Sequence, residues 1–161
     1  MELYPSNYLF DLITDAGKSF DLKLVGARAQ NWLRLEKSYR AFGTELGRDA
    51  TPFESGLSRF VDLKKDFLGK DKVQRVSNIT CVTVLIDGPK DADPWGREAI
   101  YYDGDKVGRL TSGGFSVVFN KSIGMGYVNK KYSGVGTKLK VKILNKLWNC
   151  EVVNDSPYDS K

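Results

Sequence analysis

From Thr137 to Leu144 the chain reads TKLKVKIL, with Lys138, Lys140 and Lys142 alternating with Leu139, Val141 and Ile143. A period of two puts one set on a wet face and the other on a buried one, which a strand satisfies and a helix cannot. The neighbouring sequence extends this reading. TCVTVLI is a short, wholly buried type of run, EAIYY and KVGRL flank the turn YDGDK, and SIGMGYV alternates Ile123, Met125 and Tyr127 with small residues. After a turn around Asn145, LWNCEVV places Trp148, Cys150 and Val152 on one face. Five to seven short strands separated by Gly-rich turns predict a small antiparallel barrel or sandwich from Asn78 onward.

The first quarter has the other period. Tyr8, Leu9, Leu12, Ile13 and Ala16 form one helical stripe, with Ser6 placed to cap it and Gly17 to end it. Val25, Ala29, Trp32, Leu33 and Glu36 mark a second helix over about 25–37, with Glu36 and Arg40 spaced for an exposed ion pair. Between helices and strands, residues 41–76 are punctuated by Gly43, Gly47, Pro52, Gly56 and Gly69 and read as a structured connector with one or two short helical turns.

Composition narrows the chemistry. The 161 residues include no histidine, which removes the commonest general base and every nucleophile–histidine triad. Cys81 and Cys150 stand far apart with no CxxC pair and read as reduced core thiols, not as a zinc site or a disulfide framework. No metal site is expected. The chain has no apolar run near the roughly 20 residues of a membrane span, and MELYPSNY has no secretory pattern. A cytoplasmic or mitochondrial-matrix setting is expected, with the sequons at Asn78 and Asn120 accidental.

The net charge of +5 is uneven, since residues 119–150 hold seven lysines and no acid. Such a patch can meet an anion. The alternation in TKLKVKIL favours a solvated face that also protects a strand edge. Phe119, Tyr127, Tyr132 and Trp148 lie among these lysines and offer stacking surface for single strands, but their spacing fits barrel core better. Gly17-Lys18-Ser19 resembles the end of a phosphate loop, yet the glycine required at position 12 is Leu. The glycines of SGGFSVVFNKSIGMG fit turns and close packing, not GxGxxG, and the carboxylate pairs Asp91/Asp93 and Asp103/Asp105 read as solvated loops.

Several spaced motifs then agree in order. Arg28, Leu33-Arg34-Leu35-Glu36, Gly43 and Thr51-Pro52-Phe53-Glu54 with Leu57 are followed by LTSGGFSVVFNKSIGMGYV and by Gly136-Thr137 before a KV strand. This pattern resembles the folate-dependent aminomethyltransferase family, which includes the glycine cleavage T-protein. LEKSYRAFGTEL and RFVDLKKDFLGKDKV are most similar to the folate-binding region of dimethylglycine and sarcosine dehydrogenases. The resemblance implies an α+β fold, the end of an aminomethyltransferase folate domain (residues 1–48), a connector (49–76) and a C-terminal β-barrel (77–161). It also implies tetrahydrofolate as ligand, with any FAD site in a missing N-terminal region.

Met1-Glu2-Leu3-Tyr4-Pro5 resembles a strand GWELY-x-P that lies well into the family's folate domain, so a C-terminal fragment is expected, inactive alone and completed by an upstream domain or partner chain. By resemblance, Glu2 falls on a pterin-binding glutamate, Arg28 on a folate-contacting arginine and Tyr158 near a C-terminal site tyrosine. A carboxylate suits the paired N–H donors of a pterin edge, and a guanidinium offers a planar fork to a carbonyl or carboxylate. No catalytic residue is assigned, because the family's catalytic aspartate precedes the matched region.

The alternative is a non-enzymatic basic β-module that holds nucleic acid or an acidic subunit, nucleic acid being the disfavoured partner. Phosphate binding would weaken steeply with added salt. A titration with single-stranded RNA across rising salt is expected to show no such slope; a steep one would support the module.

Overall fold

In the computed structural model, residues 5–73, 77–88 and 93–159 are described. The chain divides into two compact units, residues 1–30 and 31–161. In the first, helix α1 spans Ser6–Gly17. Ser6 is its first helical residue and Pro5 occupies the capping position, with no side-chain cap; the Pro5 carbonyl instead accepts the amides of Tyr8 and Leu9. Gly17 keeps an ordinary helical φ of −74°, and a short 3-10 turn, Lys18–Phe20, follows it before Asp21 turns left-handed. The α-helix thus ends at Gly17, as expected, but without a left-handed turn at the glycine itself. Its missing Cβ makes room for Leu22, whose own Cβ would lie 2.7 Å from one built at Gly17. The stripe of α1 is half exposed, Tyr8, Leu9, Leu12 and Ile13 each retaining slightly more than half of their surface.

Helix α2 spans Ala27–Glu36. Its buried end is made by Leu35 and Glu36, while Leu33 stays exposed. Residue 33 therefore does not carry the core stripe. Glu36 is not half of an exposed pair with Arg40 either: it is buried and accepts the Ser116 hydroxyl at 2.5 Å, and Arg40 pairs with Asp155. The connector contains a 3-10 turn, Ser58–Phe60, and the one-turn helix α3, Lys70–Val73.

Six antiparallel strands follow: β1 Ile79–Ile86, β2 Ala99–Tyr102, β3 Asp105–Ser116, β4 Lys121–Asn129, β5 Lys138–Ile143 and β6 Lys146–Val153. They close into a barrel in the order β1-β4-β3-β2-β5-β6, with β6 returning to β1. Closure removes the free edges that an open sheet would present. Two hairpins have tight turns whose central residues are both left-handed, Asp103-Gly104 and Leu144-Asn145. That geometry matches the twist of the strands it joins.

Val82, Val84 and Ile86 of β1 fill the interior with Ile100, Leu110, Val128, Leu139, Val141, Ile143, Cys150 and Val152. β5 follows its sequence residue by residue, each lysine exposed and each apolar residue buried. β1 and β4 do not alternate in this way because they are covered on both faces. Cys81, Ile123, Met125 and Tyr127 form a second cluster with Leu35 of α2 on the outside of the barrel. Both thiols are buried and free, and burial pushes each up to about 12.

Backbone approach in β4 is close enough to demand glycine. A Cβ on Gly126 would stand 2.3 Å from the Arg109 carbonyl oxygen across the β3–β4 pair. Gly126→Ala is expected to cost about 2 kcal/mol or more by overpacking. Urea unfolding, read as a lower midpoint at unchanged slope, checks it.

Candidate functional site

The residues that the sequence marks as a connector hold the most concentrated polar chemistry in the second unit. Gly43 takes a φ of 89° and its amide donates to the Leu46 carbonyl, so the loop folds tightly and Glu45 is left at 1% exposure. One oxygen of Glu45, Oε2, accepts from Arg34 Nη1 at 3.0 Å, the Ala41 amide at 3.0 Å and the Thr44 hydroxyl at 2.7 Å. The other, Oε1, accepts the hydroxyls of Thr111 at 2.6 Å and Ser112 at 2.5 Å. Burial opposes ionisation of this carboxyl, but the bonds from Ser112, Thr111, Ala41 and Thr44 outweigh it and hold its pKa below the ordinary carboxylate value.

Neighbouring groups extend the network. Arg34 Nη2 donates to Ser112 Oγ at 2.8 Å, and Arg34 Nε reaches Asn31 at 2.9 Å. The Tyr127 hydroxyl donates to the Glu45 carbonyl at 2.6 Å and lies 2.8 Å from Ser55 Oγ. Thr51 and Glu54 form a reciprocal capping box: the Thr51 amide donates to Glu54 Oε2 and the Glu54 amide to Thr51 Oγ1. The Glu54 carbonyl accepts the Cys81 amide, which ties the connector to β1. A cleft of about 260 Å³ opens beside this network, with Arg97, Arg109 and Asp49 among its lining residues. Every oxygen of the Glu45 carboxylate is already engaged, so the network holds loop, helix and barrel together and has no proton to exchange with a substrate.

A larger groove, about 1390 Å³, runs along the outer face of β5 and β6 past Lys121, Lys138, Lys140 and Lys142. Lys121 pairs with Asp87 at 2.6 Å and Lys138 with Glu151, so half of these lysines are matched by carboxylates. This agrees with a solvated strand face.

Of the residues singled out by sequence, Glu2 and Asp91 lie outside the described residues. Arg28 sits exposed in the first turn of α2, in the N-terminal unit. Tyr158 belongs to the other unit, half-buried, with its amide donating to the Glu36 carbonyl at 3.1 Å and its ring 5.4 Å from Lys37 Nζ. Glu45 and Glu54 were not distinguished as buried polar groups by the sequence reading, nor Arg34 as the partner of Glu45. The available signal was the placing of Thr51 three residues before Glu54, which is capping-box spacing.

The glycine cleavage T-protein C-terminal barrel domain matches residues 80–159, and the N-terminal domain of the same protein matches residues 4–65. The chain belongs to the glycine cleavage T-protein/aminomethyltransferase family. Mitochondrial dimethylglycine dehydrogenase of Homo sapiens is 37% identical over 91% of this chain and 18% of its own length. An aminomethyltransferase of Caldanaerobacter subterraneus is 33% identical over 93% of this chain and 41% of its own. The chain therefore spans less than half of either relative. The crystal structure of glycine cleavage system aminomethyltransferase T from Bartonella henselae superposes with a TM-score of 0.81 over 96% of this chain and 45% of that one, at 22% identity, and shows the fold.

The family motifs can now be read physically. In LRLE, Arg34 bonds Glu45, Leu35 is core and Glu36 takes Ser116; in TSGG, Thr111 and Ser112 bond Glu45 and Gly114 leaves space for the Trp32 ring. Because the folded pKa of Glu45 is depressed, its contribution is complete above the unfolded carboxylate value near 4.5 and is lost as pH falls through the folded one. Glu45→Gln is expected to cost about 3 kcal/mol at neutral pH. It should also flatten the acid limb of a stability–pH curve measured by urea unfolding.

Proposed function

We propose that this chain is the C-terminal part of a tetrahydrofolate-binding, one-carbon-transferring unit of the dimethylglycine/sarcosine dehydrogenase type. The observation that carries the reading is 37% identity to dimethylglycine dehydrogenase sustained over 91% of the chain. Residues 1–48 would close a folate-binding domain, 49–76 would connect it, and 77–161 would make up the barrel domain. The parent reaction is oxidative N-demethylation with capture of the methyl carbon, and any flavin site belongs to the part of the relatives that this chain does not span. The setting would be cytoplasmic or mitochondrial matrix, and the mitochondrial dimethylglycine dehydrogenases among the relatives support the matrix. Among the described residues, no helix is long and apolar enough to cross a membrane.

The donor chemistry fits a folate. Arg28 brings a guanidinium on an exposed helix turn, suited to a carbonyl or carboxylate. Tyr158 brings a half-buried ring whose phenol makes no hydrogen bond among the described residues, leaving it available to a ligand. Glu2 would hold the pterin's N–H edge. Tetrahydrofolate, when bound, supplies the nitrogen nucleophiles that accept the one-carbon unit; this chain's residues bind and orient it. The half-exposed apolar stripe of α1 supports an upstream domain or partner chain that completes the site.

Titration of the 161-residue chain with tetrahydrofolate, followed calorimetrically, is expected to show saturable binding. Arg28→Ala should weaken it about tenfold or more, as loss of a charged hydrogen bond would. Absence of binding, or binding indifferent to Arg28, would overturn the reading. No dimethylglycine-dependent dye reduction is expected from the chain alone, and its detection would show that the expected inactivity is wrong.

A further inference from the structure

The last described residues do not trail away from the barrel. Residues 154–159 run as a strap along the end of α2 and the turn after it, and four attachments hold them. Asp155 receives both carboxylate contacts from one nitrogen of Arg40, Nη2, at 3.1 Å and 2.9 Å. The Ser156 amide donates to Ser38 Oγ at 2.9 Å. The Tyr158 amide donates to the Glu36 carbonyl at 3.1 Å, and Asp159 lies 3.7 Å from Lys37 Nζ.

The anchor side of this strap is rigid. Ser38 is held left-handed at φ 52° and its hydroxyl also meets Thr83 Oγ1 of β1 at 2.7 Å. Arg40 is committed on its other nitrogens, Nε to the Ser55 carbonyl at 3.0 Å and Nη1 to the Ser38 carbonyl at 2.7 Å, and its side chain is only 7% exposed. Its seat depends on Gly56, where a Cβ would come within 2.9 Å of Nη2. A guanidinium fixed by two such hydrogen bonds presents its remaining nitrogen in one direction only. Asp155, by contrast, has a half-exposed side chain whose hydrogen bonds in the described structure are those from Arg40.

Two of the strap's amides and two of its carboxylates are spent on these attachments; the Tyr158 ring lies 5.4 Å from Lys37 Nζ and its phenol makes no hydrogen bond among the described residues. We propose that Arg40, through Asp155, is a positioning residue that sets the direction of the Tyr158 side chain for a bound folate, an inference that rests on the reading of Tyr158 as a ligand-contacting residue. Holding that ring in place in the free protein removes an ordering cost that binding would otherwise carry.

Asp155→Asn and Asp155→Glu in the 161-residue chain test this, with Tyr158→Ala as reference. Amide hydrogen exchange at Ser156 and Tyr158, thermal melting and tetrahydrofolate titration are measured on each. Asp155→Asn is expected to speed exchange at both amides and weaken folate about fivefold, the size of one lost hydrogen bond, with melting unchanged. Asp155→Glu, which keeps the carboxylate, should restore affinity to within about twofold of the parent chain. If Tyr158→Ala weakens folate and Asp155→Asn does not, the positioning role is overturned while the folate reading stands. Unchanged affinity in Tyr158→Ala, or no binding by the parent chain, overturns both.

Discussion

A carboxylate with no exposed surface must be compensated where it sits, and Glu45 is compensated by groups drawn from three separate parts of the second unit. Arg34 comes from α2, Ala41 and Thr44 from the loop itself, and Thr111 and Ser112 from the middle of β3. Removing a buried ion from water costs several kcal/mol unless such partners are already in place. The geometry of α2, the loop and β3 is therefore mutually dependent: none can shift without leaving a buried charge short of a donor. A barrel alone would tolerate many positions for a helix packed on its outside. The Glu45 network selects one.

That dependence explains which parts of the fold were legible in the sequence. β5 is wet on one face, so the period of its side chains is its burial pattern. β1 and β4 are covered from outside by Leu35 and its neighbours, so their apolar runs show strand character without showing which face meets what. The expected barrel class and strand places rest on local alternation and turn residues, and the closed barrel agrees with them. Glu45 and Glu54 were invisible as buried groups because a lone glutamate in a Gly-rich stretch has the composition of a solvated loop, and Glu36, at the end of a helical stripe, had the spacing of an exposed ion pair with Arg40. For Glu36 and Glu45 key partners lie far along the chain, 80 positions for Ser116 with Glu36 and 67 for Ser112 with Glu45, and no local pattern carries that distance.

The same residues clarify what the family motifs mean. LRLE, the Gly43 turn, TPFE and TSGG identify the family, and they assemble one polar and apolar joint in which both oxygens of Glu45 are engaged. A motif can thus be diagnostic of ancestry while contributing nothing directly to a ligand. For the ligand, the groups to consider are those whose side chains keep unused capacity, which directs attention away from the conspicuous Glu45 cleft and toward Tyr158. Of the site as read from sequence, Arg28 and Tyr158 were nameable only through resemblance; nothing in their local composition separates an exposed helix arginine or a C-terminal tyrosine from ordinary surface.

The lysine excess is the feature that physical reading reduces most. Seven lysines without an acid between residues 119 and 150 look like an anion surface when counted along the chain. Folding brings Asp87 to Lys121 and Glu151 to Lys138, acids that precede and follow the basic segment and so escape a count within it. Paired at short range, these charges contribute little to a long-range field, and at physiological salt what remains is screened within roughly 8 Å. Lys140 and Lys142 then act mainly through their alternation with Val141 and Ile143, which fixes the register of β5 against β6. A one-residue slip there would bury both lysines and expose the core, so the basic residues specify the barrel by being costly in every other pairing.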